Sequence, residues 1–139
     1  MTAGKALEDR IAPPYRSRGE ARLGGMLDRY GIPFFYEHPL LVVSRGEHRV
    51  WHPDFTLPHH GGLIVEYAGI TDRSDYLEGI TYKQQVYSAN GVPALFLYPS
   101  DLYGLDWQQR IVERIAAGGQ PRDSQEPNQA YGQACRGFL

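Results

Sequence analysis

The stretch from Leu63 to Ala68 constrains this chain most. It is short and apolar except for Glu66, and it follows the turn-forming Pro58-His59-His60-Gly61-Gly62. A run of that length and composition is a strand buried in a sheet rather than a helix. Helical periodicity lies on both sides of it. Ser17-Arg18-Gly19-Glu20 has capping-box spacing, Leu23, Leu27 and Tyr30 repeat along one helical face, and Gly31 follows as a stop. Downstream, Asp72 or Ser74 can cap a second helix that runs to Asn90-Gly91. Pro93 to Tyr98 reads as another buried strand and Asp106 to Ala117 as a last amphipathic helix. Between the first helix and the central strand, Phe34 to Val43 is strand-like with a bend at Pro39. After the turn Ser44-Arg45-Gly46-Glu47, the segment Arg49 to Leu57 returns as its hairpin partner. Helix, three strands, helix, strand and helix in that order predict an α/β sandwich around a central mixed β-sheet flanked by helices.

The 139 residues suit one domain over 15–117, with a flexible arm at 1–14 and a Gly-, Gln-, Pro- and Asn-rich tail at 118–139 that reads as flexible. A hydrophobic share of 42% against 22% charged residues excludes a wholly disordered chain. No apolar run approaches the roughly 18 residues needed to span a bilayer, and Met1 to Arg10 mixes small and charged residues unlike a signal peptide. The single cysteine, Cys135, can form neither an internal disulfide nor a cysteine metal site, so the expectation is a cytoplasmic protein without a membrane partner. A net charge of −2, from 14 Lys and Arg against 16 Asp and Glu, argues against a non-specific nucleic-acid coat protein. It does not argue against an enzyme whose carboxylates hold cations.

The informative residues are charges at positions the periodicity turns inward. Glu66 lies inside the apolar strand. Asp54 follows Pro53 beside Phe55, Glu20 joins the inward stripe of the first helix, and Lys83 falls on the stripe of Tyr76, Ile80 and Tyr87. Buried charges need partners. Carboxylate oxygens suit a hard divalent cation such as Mg²⁺, which is held by one or two carboxylates plus waters and substrate phosphate. Such a cation with a nearby ammonium suits phosphodiester hydrolysis. Each residue also has a structural explanation: Glu20 as a capping-box glutamate, Asp54 as a strand-end aspartate, Glu66 paired with an arginine, Lys83 snorkelling to solvent.

Pro53-Asp54, then Glu66 in a hydrophobic strand, with Glu20 on an earlier helix, resembles the PD-(D/E)xK nuclease superfamily. The stretch from Tyr15 to Leu102 resembles its small restriction-endonuclease-like domains with a "PDF…L" strand and a "(V/I)EY-x-G" strand. Where that pattern expects lysine two residues after the glutamate, this chain has Ala68. Lys83 on the following helix is the matching candidate for a migrated lysine. The resemblance implies metal-dependent endonucleolytic cleavage of DNA by direct attack of water. Asp54, Glu66 and the main-chain carbonyl of Tyr67 would bind Mg²⁺ or Mn²⁺, and Glu20 would bind a second cation or orient a water. Lys83 would orient the nucleophile or offset phosphate charge, with Gln84 in a nearby polar role. Arg16, Arg18 and Arg22 would contact flanking phosphates. Many members act as homodimers, and the resemblance admits one here.

Three other functions compete with this one. One is a non-hydrolytic nucleic-acid-binding module that kept the fold and lost the lysine. Another is zinc chemistry at His52, His59 and His60, although no helical histidine pair exists. The third is partner binding through a tyrosine-rich surface.

Overall fold

The computed structural model describes residues 15–118; the arm at 1–14 and residues 119–139 of the tail, with Cys135, lie outside it. The elements are α1 (Arg18–Arg29), β1 (Phe35–Tyr36), β2 (Leu40–Ser44), β3 (Glu47–Trp51), β4 (Phe55–Leu57), β5 (Leu63–Tyr67), α2 (Ser74–Ala89), β6 (Ala94–Leu97) and α3 (Trp107–Ala116), with single 3₁₀ turns at Pro58–His60 and Pro99–Leu102. The order β1-β4-β5-β6 makes a mixed sheet, antiparallel at its first two pairings and parallel between β5 and β6. A parallel pair needs a crossover, and α2 is that crossover.

β5 is apolar because it is buried on both faces. Leu63 and Val65 join Leu23 and Leu27 of α1 and Ile111 and Ile115 of α3 in one core. Ile64 and Ala68 face the other way, into a second core with Ile80 and Tyr87 of α2, Phe96 of β6 and Trp51 of β3. The molecule is therefore layered, with α1 and α3 on one side of the sheet and α2 with the β2–β3 hairpin on the other. Alternation puts Glu66 on the Ile64 side, beneath α2. Phe55 is fully buried, with the rings of Phe34, Tyr36 and Tyr15 centred 5.3, 5.6 and 6.1 Å away. Phe55→Ala is expected to cost about 3–5 kcal/mol, read as a lower urea midpoint at fixed pH.

Helix ends follow local chemistry. The Ser17 hydroxyl accepts the Glu20 N–H at 3.1 Å and caps α1. At the other end Gly31 takes φ +67°, so that the Ile32 N–H reaches the Leu27 carbonyl at 2.9 Å. Tyr30 is exposed, contrary to the stripe drawn through it, and Met26 takes the inward place. For α2, neither Asp72 nor Ser74 caps: Arg73 occupies the cap position without a side-chain bond, and its guanidinium pairs with Asp75 in the first turn. Asn90 and Gly91, at φ +68°, end that helix as expected.

The strands differ most from expectation between α1 and α2, where there are five short strands, β5 included, instead of three. Phe34 to Val43 divides at Glu37, which has φ +55°, so that β1 enters the main sheet while β2 leaves for the hairpin. The β2–β3 turn puts Arg45 and Gly46 both at positive φ, the form that matches strand twist. The expected partner, Arg49 to Leu57, is likewise two strands. β3 begins at Glu47 and stops at Trp51, because Pro53 has no N–H to continue the ladder, and β4 joins the main sheet. Among the described residues no helix is long and apolar enough to cross a membrane.

Candidate active site

The register Phe55↔Val65 brings the residue before β4 alongside the end of β5. There the Tyr67 N–H donates to Asp54 Oδ2 at 2.8 Å, and the Asp54 N–H approaches Glu66 Oε1 at 3.4 Å. From α2, the Tyr87 hydroxyl donates to Glu66 Oε2 at 2.5 Å, and Lys83 Nζ stands 3.8 Å from the same oxygen. From the opposite layer, α1 presents Glu20, whose Oε1 accepts the Tyr36 hydroxyl at 2.5 Å. Glu20, Asp54, Glu66 and Lys83 all line one cleft of about 450 Å³, together with Tyr67 and Tyr76. Groups far apart in sequence therefore meet between α1 and α2, across one end of β5.

Electrostatics sets the character of this cleft. Burial, and next the neighbouring Glu66 charge, push the Asp54 carboxyl up to about 7. The Tyr67 N–H bond and Lys83 oppose that rise, and Glu20 adds to it. Burial, followed by the charge and hydrogen bond of Glu66, raises the Tyr87 phenol far above its usual range. Burial, followed by the hydrogen bond to Glu20, does the same for Tyr36. Both phenols thus stay protonated and act as donors to the carboxylates. Two carboxylates withdrawn from water and repelling one another gain from a cation that neutralises both.

Mg²⁺ or Mn²⁺ asks for one or two carboxylates and several waters, which Asp54 and Glu66 can provide in an open cleft; the donor set fits such an ion. Among the described residues no group of three or more His, Cys, Asp or Glu side chains is disposed to hold a metal alone. His52 and His59 are exposed, and neither they nor His60 line the cleft, so the zinc alternative gains nothing from the geometry.

The arginines do not act as one cluster. Arg16 lines the cleft, but its Nε pairs with Glu37 at 2.8 Å. Arg18 is exposed on the first turn of α1. Arg22 donates to the Leu102 carbonyl at 2.8 Å and lies over the Trp107 ring at 4.7 Å, tying α1 to the layer of α3. Gln84 corrects a sequence expectation: it lines a separate groove with Ser88, Tyr98 and Arg114, away from the carboxylates. Neighbours on a helix point about 100° apart, so if Lys83 enters the cleft Gln84 cannot. Ala68 also lines the cleft, buried beside Ile80 and Phe96, but its methyl group brings no charge there.

Two tyrosines that bond the cleft carboxylates, and one aspartate that lines the cleft, are not singled out by the sequence. Tyr87 falls on the inward stripe of its helix as a ring, and the stripe names no partner for its hydroxyl. Tyr36 gave no signal, because its bond to Glu20 depends on how β1 docks against α1. Asp75 also lines the cleft mouth, and its charge at the start of α2 reads locally as ordinary helix-end chemistry. Compared with known protein families and with curated proteins, the chain matches none.

Proposed function

We propose that this protein is a metal-dependent DNA endonuclease with a restriction-endonuclease-like, PD-(D/E)xK-type core. The observation that carries this reading is the meeting of Glu20, Asp54, Glu66 and Lys83 in one cleft, with the lysine arriving from α2 where Ala68 could not serve. Asp54 and Glu66, with the Tyr67 carbonyl, would hold Mg²⁺ or Mn²⁺. When bound, that ion supplies polarisation of the phosphate and a lowered pKa for the attacking water. The rest falls to the chain itself. Lys83 places its ammonium beside the carboxylates to offset charge developing on the scissile phosphate or to orient the attacking water. Glu20, held by the Tyr36 hydroxyl, would orient a second water or hold a second cation. Arg16, which lines the cleft, and the exposed Arg18 would contact flanking phosphates. Water would attack phosphorus directly, without a covalent enzyme intermediate. One ester P–O bond breaks, the attacking water gives a proton to solvent, and the leaving oxygen takes one up to depart as a hydroxyl. A homodimer would place two such clefts on opposite strands.

The test is nicking of supercoiled plasmid in Mg²⁺ or Mn²⁺, followed by a panel of linear, branched and single-stranded DNAs. Cation-dependent products that EDTA suppresses are the expected outcome. Full activity in EDTA would remove the metal from the mechanism. DNA binding indifferent to Mg²⁺, with no nicking in Mn²⁺, would identify a non-hydrolytic module instead.

A further inference from the structure

We infer that Tyr87 is a positioning residue for the cation site, holding Glu66 in place and keeping Lys83 from collapsing onto it. This rests on the metal-dependent reading above. Glu66 has a side chain only 6% exposed, so its oxygens must find donors inside the protein. Tyr87 supplies one, its hydroxyl 2.5 Å from Oε2. The phenol is not free to adapt. Tyr87 is almost completely buried, its ring packs edge-on against Trp51 at 5.4 Å, and it lies 6.1 Å from Phe96. α2, β3 and β6 therefore deliver this hydroxyl to a fixed point. With Oε2 engaged, Oε1 is left on the side of Asp54, where the Asp54 N–H approaches it only loosely at 3.4 Å.

Lys83 gives the arrangement its consequence. Its Nζ lies 3.8 Å from Oε2, beyond hydrogen-bond length, with 49% of the side chain exposed. Without the phenol, a buried carboxylate oxygen would lack its donor, and the nearest replacement is the Lys83 ammonium. A tight Lys83–Glu66 pair would withdraw both groups from the cleft and compete with the cation for the same oxygens.

The experiment is Mn²⁺ binding to the whole chain by isothermal titration calorimetry. Tyr87→Phe keeps the ring that packs on Trp51 and Phe96 and deletes the hydroxyl alone. It is expected to weaken Mn²⁺ about 10- to 100-fold, the range for loss of a partner that orients a metal ligand. Adding Lys83→Met is expected to recover at least about threefold of that loss in the Tyr87→Phe background and to change the parent less than about twofold. A folded Tyr87→Phe protein that binds Mn²⁺ like the parent would overturn the inference and leave the metal reading intact. A loss that Lys83→Met does not relieve would also overturn it, by reducing the hydroxyl to local packing. A parent protein that binds no Mn²⁺ overturns both. A second measurement needs no variant: the Tyr87 hydroxyl proton, followed by NMR in the unaltered protein, should shift with Mg²⁺ and saturate with the Mg²⁺ affinity found by calorimetry on the same protein. Its indifference to saturating Mg²⁺ would count against the role.

Discussion

Replacing Asp54 by asparagine is expected to lower cation-dependent cleavage by more than about 1000-fold and, in the same protein, to raise stability without cations above neutral pH. The two effects share one origin. Asp54 stands in a cleft where burial and the Glu66 charge disfavour its ionised form. A group arranged this way costs the fold something when charged and yields it back when a cation arrives. Asparagine keeps the size and can still accept the Tyr67 N–H, but carries no charge to neutralise and makes a poor ligand for a hard cation. Loss of activity with a higher midpoint separates a missing ligand from a damaged fold.

The pH dependence follows with its sign. The folded carboxyl titrates at about 7 and its ordinary value is 3.8, so between those values the native state holds a proton that the unfolded chain has released. Stability from this group is therefore fully present below about pH 4, falls as pH rises towards 7, and is flat beyond. Asp54→Asn escapes that fall, and its thermal midpoint above pH 7 without cations should exceed the parent's by at least about 4 °C, a gap that closes at low pH. Mg²⁺ or Mn²⁺ should stabilise the parent more at pH 8 than at pH 5, because the ion must displace the proton. A parent whose cation-free stability rises steadily from pH 4 to 8 would contradict this account of Asp54.

What could be foreseen divides along physical lines. β5 is legible because burial on both faces leaves a run apolar except at Glu66. Helix ends are legible where the Ser17 hydroxyl and the backbones of Gly31 and Asn90-Gly91 act on their immediate neighbours. The split of Phe34 to Val43 between two sheets is not. Its apolar residues resume after Glu37-His38-Pro39, so the break reads as a bend within one strand. Only the left-handed turn at Glu37, with its tertiary docking, sends the halves to different sheets. At the cleft, Glu66 and Lys83 stood out because a charge among apolar neighbours is a local anomaly. Tyr36 and Tyr87 did not, since an aromatic ring satisfies the pattern of a core whether or not its hydroxyl has a partner. Gln84 suggests a place in the cleft only by adjacency to Lys83, which a helix turns into separation.

Lys83→Met should divide catalysis from metal binding most sharply. Methionine keeps an unbranched stem of similar length beside Ile80, so the α2-side core is undisturbed, and the ammonium alone is lost. Lys83 does not ligate a cation, and it holds no short bond to Glu66 that the fold requires; at 3.8 Å and half-exposed, it faces whatever enters the cleft. Mn²⁺ affinity should therefore stay within about twofold of the parent. Cleavage should fall about 100- to 1000-fold, the loss typical of removing one preorganised donor from developing charge. Arginine at this position should recover only part of the rate, because its planar fork spreads the charge that the compact ammonium concentrates. Parent-like cleavage by the methionine protein would remove Lys83 from the chemistry and leave the gap at Ala68 without a substitute. An equal collapse of Mn²⁺ binding and cleavage would instead place the lysine in the architecture of the carboxylate pair.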